Sequence, residues 1–245
     1  MVGIVKTLLF AFATPSKNNE LTAVMSDNQN KGFQNHDVLS RLRSLGLGKK
    51  ELPHHTDLRR ASILVPLFER TIAKEQYSSC QSNIHVLFTQ RPKAMKSHGG
   101  EVCFPGGKQD PEDELDDIRT ALREAHEEVG LRSSYIESIA RLETVESKHS
   151  LCVTPIVGII QPPSVAEPSQ LKLNTTEVEA AFAVPLEYFA DEENCVEITK
   201  VKWSGGDFLI RTYLWDDVES GCQFKIWGLT AHVIHHVATM AFCKL

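Results

Sequence analysis

Residues 107–131 read GKQDPEDELDDIRTALREAHEEVGL. Arg123, Glu124, Glu127 and Glu128 crowd into little more than one helical turn, just ahead of Gly130 and Leu131. Hard divalent cations prefer carboxylate oxygens. A bound cation polarises phosphoryl oxygens and makes water a nucleophile at neutral pH. The three glutamates follow a Pro105-Gly106-Gly107 turn and flank an apolar stripe. The chemistry implied is metal-dependent hydrolysis of a phosphoanhydride.

A helix must position these groups. At about 100° per residue, with Glu124 set at zero, Glu128 falls near +40° and Glu127 near −60°. Ile118, Ala121, Leu122, Ala125 and Val129 then span roughly +60° to +160°. One arc packs on a core and its neighbour presents carboxylates. Arg123 stands at i,i+4 ion-pair spacing from Glu127 and so holds its rotamer. Asp113, Glu114, Asp116 and Asp117 precede or open the helix, where negative charge suits the dipole. Gly130 is the predicted stop. Paired glutamates on helices are most often plain solvated charge. The whole string, from glycine turn through acidic loop to Arg-Glu-x-x-Glu-Glu and Gly-Leu, sets this segment apart.

The segment resembles the Nudix box, G-x5-E-x7-R-E-U-x-E-E-x-G-U, with U an aliphatic residue. Gly107 matches the first glycine, and Arg123 to Leu131 match the second half, with Ala125 a weak U. Arg123 stands sixteen residues after Gly107 instead of fourteen, and Asp113 occupies the place of the first glutamate. The extra residues fall in a loop and helix start, which tolerate insertion. A second stretch, Leu87 to Gly107, reads LFTQRPKAMKSHGGEVCFPGG. It resembles the signature of the coenzyme A diphosphatase branch, L-L-T-x-R-[SA]-x3-R-x3-G-x3-F-P-G-G. Leu87, Thr89, Arg91, Gly100, Phe104, Pro105, Gly106 and Gly107 match, while Phe88, Pro92 and Lys96 depart from it. Lys96 keeps the charge of the usual arginine but loses its bidentate fork.

The resemblance implies an α/β fold, a Nudix-type α/β/α sandwich with a mixed β-sheet. It implies hydrolysis of coenzyme A and acyl-CoAs to 3′,5′-ADP and 4′-phosphopantetheine or its acyl form. Glu124, Glu128 and Glu127 are then the expected ligands of Mg2+ or Mn2+. Glu127 would also orient water, with Arg123 fixing it, and these two form the expected catalytic pair. Coenzyme A carries a diphosphate and a 3′-phosphate, which need cations beyond the metal. Arg91, Lys93 and Lys96 are expected to supply them, beside Gly106 and Gly107. Two other readings stay open: hydrolysis of another nucleotide, such as ADP-ribose or NADH, and a silent nucleotide-binding sensor. The intact glutamates count against the sensor. Glu177 and Glu179, after a proline-rich loop, are candidates for a general base, and His149 for the cleft wall. His232, His235 and His236 have helical metal-ligand spacing, but no acidic partner stands near them in sequence, so packing or solvent is expected.

With 245 residues, 42% hydrophobic and 24% charged, the chain can bury one sizeable core plus extensions. A pI near 5.9 argues against general nucleic-acid binding. Six cysteines form no CxxC pair, against a zinc site or disulfide framework, and a reduced intracellular setting follows. The apolar run at 1–14 is too short to span a bilayer and is at most a weak leader, with Met25 an alternative start. The expected organisation is a disordered extension at 1–34, a helix and linker at 35–56, a hydrolase domain at 57–242 and a terminal tripeptide. That tripeptide, Cys243-Lys244-Leu245, resembles the S-K-L peroxisomal address. It implies an import receptor as partner and a peroxisomal location, with mitochondrion or cytosol as alternatives. The sequence predicts a helix capped by Asp37 and ended by Gly46. Strands are predicted at 61–68, 84–89, 101–104, 136–142, 151–160 and 178–184, and a hairpin at 207–226. Pro185 has a helix-start pattern, and Thr230 is the expected cap of a closing helix.

Overall fold

The computed structural model describes residues 35–48, 59–70, 82–147, 151–203 and 206–242. The expectations placed on residues 1–34, His149 and Cys243-Lys244-Leu245 lie outside the described residues. In chain order the elements are α1 (Asn35–Ser44), β1 (Arg59–Glu69), β2 (Ile84–Gln90), β3 (Val102–Cys103), β4 (Gly106–Lys108), α2 (Asp117–Val129), β5 (Ile136–Arg141), β6 (Val145–Glu146), β7 (Leu151–Ile160), β8 (Ala180–Pro185), β9 (Cys195–Trp203), β10 (Gly206–Asp217), β11 (Cys222–Trp227) and α3 (Gly228–Phe242).

Strands β1 and β7 run parallel from Arg59↔Leu151 to Leu67↔Ile159. The other pairings in this eight-stranded sheet are antiparallel, so the sheet is mixed. Both central strands are covered on both faces, which is why they read as unbroken apolar runs. Leu64, Phe68, Ile156 and Ile160 face α2 and pack with Ala121, Ala125 and Val129. Val65, Leu67, Val157 and Ile159 face the other way, onto Val38 and Leu42 of α1 and Ile234 and Val237 of α3. The architecture is an α/β/α sandwich. On the α1/α3 side Phe88 stacks against Phe104 and Phe182, and Phe182 lies 3.8 Å, centroid to centroid, from Phe224 of the second, three-stranded sheet β11-β10-β9. Among the described residues no helix is long and apolar enough to cross a membrane.

One irregularity positions the site. The outer edge of β1 changes partner along its length: Leu67–Glu69 pair with β2, whereas Ala61–Ile63 pair with β4. Between the two, the Leu64 amide donates to the Pro105 carbonyl at 2.9 Å. The Phe104–Gly107 turn therefore fills a fork in the sheet.

Some local expectations need correction. Helix α1 begins at Asn35, so Asp37 lies in its first turn and is not the cap. Helix α3 begins at Gly228, and Thr230 sits inside it with its hydroxyl donating to the Val102 carbonyl at 3.1 Å. After Pro185 the chain makes only a short 3-10 turn, Leu186–Phe189. Strand β9 was not expected. Its Val196, Ile198, Thr199 and Val201 favour strand, but Glu197, Lys200 and Lys202 interleave them and the stretch reads as polar.

The histidines of this core make stability depend on pH. His85 in β2 is 3% exposed. Its Nδ1 meets the Asn83 carbonyl at 3.0 Å, and its Nε2 is buried without a hydrogen-bond partner. Burial outweighs the Asn83 carbonyl, and Arg70 adds to the push, so His85 is held down to about 4. Burial and the neighbouring His236 bring His232 down to about 4 as well. A folded-state value below the ordinary one gives stability that is complete above pH 6.5 and lost as pH falls toward 4. The melting temperature is expected to drop most steeply between those values. His85→Leu should flatten that slope, by roughly 3 kcal/mol at pH 4 at about 1.4 kcal/mol per pH unit. Melting curves of both proteins across this range check it, and equal slopes would count against His85.

Candidate active site

Helix α2 is held at both ends. Asp116 caps it, accepting from the Ile118 amide at 2.9 Å. Asp117, buried under the first turn, lies 3.6 Å from Arg60 of β1 and 3.9 Å from Arg141 of β5. Gly130 closes the helix in the left-handed region, φ 76°, where a side chain is strained. The following loop docks on this end: the amides of Lys172 and Asn174 donate to the Val129 and Glu128 carbonyls at 3.1 and 2.9 Å.

At its centre Arg123 is the hub. Its Nε and Nη2 grip Asp113 at 3.1 and 2.9 Å. Its Nη1 reaches Glu124 Oε1 at 2.9 Å and Glu127 Oε2 at 3.1 Å, and Nη2 also donates to the Lys108 carbonyl at 3.0 Å. The fork holds buried Asp113 below the usual carboxylate range against the cost of burial, helped by the Asp110 amide and the Thr120 hydroxyl. Sequence reasoning paired Arg123 with Glu127 alone. It missed Asp113, although Asp113 stood in the first glutamate's place in the motif.

Glu124 and Glu128 face the glycine turn. A methyl group on Gly107 would collide with the Glu124 carboxylate, so this glycine leaves the space that the glutamate fills. A methyl on Gly106 would meet backbone instead, Ser62 O at 2.5 Å and Ile63 Cα at 2.7 Å. Glu128 is 3% exposed and accepts from the Gly106 amide at 3.3 Å. Burial first, then the charge of Glu124, pushes Glu128 up to about 8; Arg91 and the Gly106 amide oppose the shift, and Glu177 adds to it. Glu124 is also raised, by burial first, with Arg123 opposing and Glu127 and Glu177 adding. Glu127 is about half exposed and lies along Arg123. Among the described residues no three His, Cys, Asp or Glu side chains already converge on one ion position. The donors nonetheless suit a hard cation. Burial raises both carboxylates and the charge of Glu124 raises Glu128 further, and a cation would supply the missing positive charge.

The remaining candidates separate. Lys93 and Lys96 are exposed, whereas Arg91 is half-buried. Glu177 is half-buried, and its charge acts on both Glu124 and Glu128. Glu179 is exposed and accepts from the Lys93 amide at 3.1 Å. His235 Nδ1 lies 3.0 Å from the Tyr213 hydroxyl and 3.1 Å from the Phe189 carbonyl. Burial lowers His232, His235 and His236 alike, which fits packing.

A NUDIX domain model matches residues 78–201, a span that holds the Phe104–Gly107 turn, α2 and the Glu177 loop. The chain belongs to the Nudix family. This Nudix hydrolase is 35% identical over 202 residues to the peroxisomal coenzyme A diphosphatase NUDT7 of Mus musculus, covering 82% of this chain and 78% of that protein. It is 36% identical over 185 residues to the mitochondrial Nudix hydrolase 15 of Arabidopsis thaliana, covering 75% of this chain and 59% of the plant protein. Among solved structures, the M. smegmatis Nudix hydrolase RenU aligns with 53% of this chain and 72% of its own, at 19% identity and a TM-score of 0.41. The family assignment and the α/β/α sandwich with mixed sheet, both expected from residues 87–131, are borne out.

The two glycines predict different failures. In Gly107→Ala the new methyl displaces a side-chain carboxylate, so kcat should fall about 10²-fold, the scale of a misplaced reacting group, with the melting temperature little changed. In Gly106→Ala the methyl meets β1 backbone, so the melting temperature should fall first. Turnover and melting curves on both variants test this. Unchanged turnover in Gly107→Ala would contradict the placement of Glu124.

Proposed function

We propose that this Nudix hydrolase cleaves the diphosphate of coenzyme A and acyl-CoAs, releasing 3′,5′-ADP and 4′-phosphopantetheine or its acyl form. The observation that carries the reading is the half-buried Glu124 and buried Glu128 beneath the Gly106-Gly107 turn, with the cationic loop at 91–96 leading into that turn. The choice of coenzyme A is supported by the resemblance of Leu87 to Gly107 to that branch and by the similarity to the mouse coenzyme A diphosphatase.

Glu124 and Glu128 would hold Mg2+ or Mn2+, with Glu127 as a further ligand or an anchor for water. The bound ion supplies Lewis acidity toward the phosphoryl oxygens and a water of lowered pKa. The chain's own residues do the rest. Arg123 fixes the rotamers of Glu124 and Glu127. Gly106 and Gly107 would border the diphosphate, their missing side chains leaving room for the β1 backbone and the Glu124 carboxylate. Exposed Lys93 and Lys96 offer point charges to the 3′-phosphate. Glu177 would accept the proton of the attacking water.

With Mg2+ or Mn2+, coenzyme A should be cleaved faster than dephospho-CoA, ADP-ribose or NADH, with products identified by mass, and a chelator should abolish turnover. Glu124→Gln and Glu128→Gln should each lower kcat at least about 10²-fold with the fold retained. Near-wild-type turnover in both variants removes the metal assignment. Equal cleavage of ADP-ribose or dephospho-CoA removes the substrate assignment and leaves the Nudix chemistry standing.

A peroxisomal location accompanies this reading, supported by the name of the mouse relative, although the plant relative is named as mitochondrial. The full chain with an N-terminal fluorescent tag should coincide with a peroxisomal marker. It should become diffuse when Cys243-Lys244-Leu245, the segment an import receptor would read, is removed. Mitochondrial fluorescence of the full chain would overturn the proposal.

A further inference from the structure

We infer that Arg91 acts on the scissile diphosphate itself, as a catalytic residue that stabilises charge there, and does not belong with Lys93 and Lys96 as a reader of the 3′-phosphate. The inference rests on the diphosphatase reading above and divides a loop that the sequence presents as one basic patch.

Strand alternation places the residue. Val86 and Phe88 of β2 pack on the α1/α3 side, whereas Leu87 packs on the α2 side. Successive side chains on a strand point to opposite faces, so Thr89 and Arg91 share the face of Leu87. Cys103 of β3 pairs with Thr89, and its sulfur lies 3.3 Å from the Thr89 hydroxyl on that same side. The pairing continues one step past β2: the Arg91 amide donates to the Glu101 carbonyl at 3.0 Å, and the Gly100 amide donates to the Arg91 carbonyl at 3.0 Å. Arg91 is thereby held in register and directed at the side of the sheet that carries the glutamates of α2.

The surroundings of the guanidinium agree. Arg91 Nε is buried and has no hydrogen-bond partner among the described residues. Its positive charge acts on both Cys103 and Glu128. Lys93 and Lys96, two and five positions later, are exposed. A half-buried arginine whose buried Nε has a donor to spare, on the side of the sheet that carries Glu124 and buried Glu128, is a preformed clamp for phosphoryl oxygens. In a site shielded from water, a donor aimed where charge develops lowers the barrier more than one that reads a remote group. The 3′-phosphate is remote from the bond that breaks; the diphosphate is not.

The experiment compares coenzyme A with dephospho-CoA, which has the same diphosphate but no 3′-phosphate. Arg91→Ala should lower kcat about 10²-fold or more on both substrates and leave the ratio of their kcat/KM values within about twofold of wild type. Added guanidinium should restore part of that loss, a response that a merely structural arginine would not give. The Lys93→Ala/Lys96→Ala double variant should narrow the ratio instead. Should Arg91→Ala fail to fold, Arg91→Lys keeps the charge without the fork and should lose kcat on both substrates. A collapsed ratio with kcat on dephospho-CoA retained would overturn the inference. If the wild type does not cleave coenzyme A, the substrate reading fails by itself. The same variants are then assayed on whichever diphosphate it cleaves, where lost kcat upholds the role of Arg91 and retained kcat overturns it.

Discussion

The Arg123 guanidinium joins parts of the chain that would otherwise have no fixed relation. One edge closes on Asp113, in the loop before α2; the other meets Glu124 and Glu127, on α2 itself. Its bond to the Lys108 carbonyl ties both to the strand leaving the glycine turn. Charge-assisted bonds of this kind are short and directional. A buried ion pair adds little net stability but is costly to break, because the abandoned partner stays buried; the cost is roughly 3–5 kcal/mol. Asp113 is such a partner. The arginine is therefore best understood through geometry: it sets the distance between loop, turn and helix, and so the position of each glutamate.

That geometry leaves an electrostatic imbalance. Glu124 and Glu128 are brought together under the turn, with Glu177 near both. Arg123 spends most of its donors on Asp113 and Lys108, and the charge of Glu128 is offset by Arg91 and by the Gly106 amide. Folding stabilises an arrangement of carboxylates that repel one another because a large apolar face of α2, with Ala121, Ala125 and Val129, is buried at the same time. Hydrophobic packing on one arc of the helix holds the acidic arc in place.

Much of this was legible in the sequence. Helical periodicity separated the two arcs of α2 correctly, because a helix face is a local property of spacing. Central strands β1 and β7 were legible because burial on both faces leaves an uninterrupted apolar run. Strand β9 was not, since charged residues alternate through it. The partner of Arg123 was also hidden. Its i,i+4 neighbour is visible in the chain, while Asp113 reaches it through a loop whose path depends on the 3-10 turn at Pro111–Asp113. Arg91 looked like one member of a basic patch because spacing cannot show that pairing with Glu101 continues past β2. The two extra residues between Gly107 and Arg123 disturb the motif on paper only: they are absorbed before the helix begins.

The fork in the sheet gives the protein two kinds of rigidity. The β1–β7 ladder, with nine paired residues, and the cores on either side secure the domain as a whole. The glycine turn meets β1 through the short β4 pairing and one amide–carbonyl bond from Leu64 to Pro105. Opening at the turn breaks few contacts, whereas opening the ladder breaks many, and local and global opening are then separate events with separate free energies. Slow backbone hydrogen exchange in β1 beside β7 and faster exchange at the Leu64 amide would be two readings of one strand, the first reporting the fold and the second reporting the site.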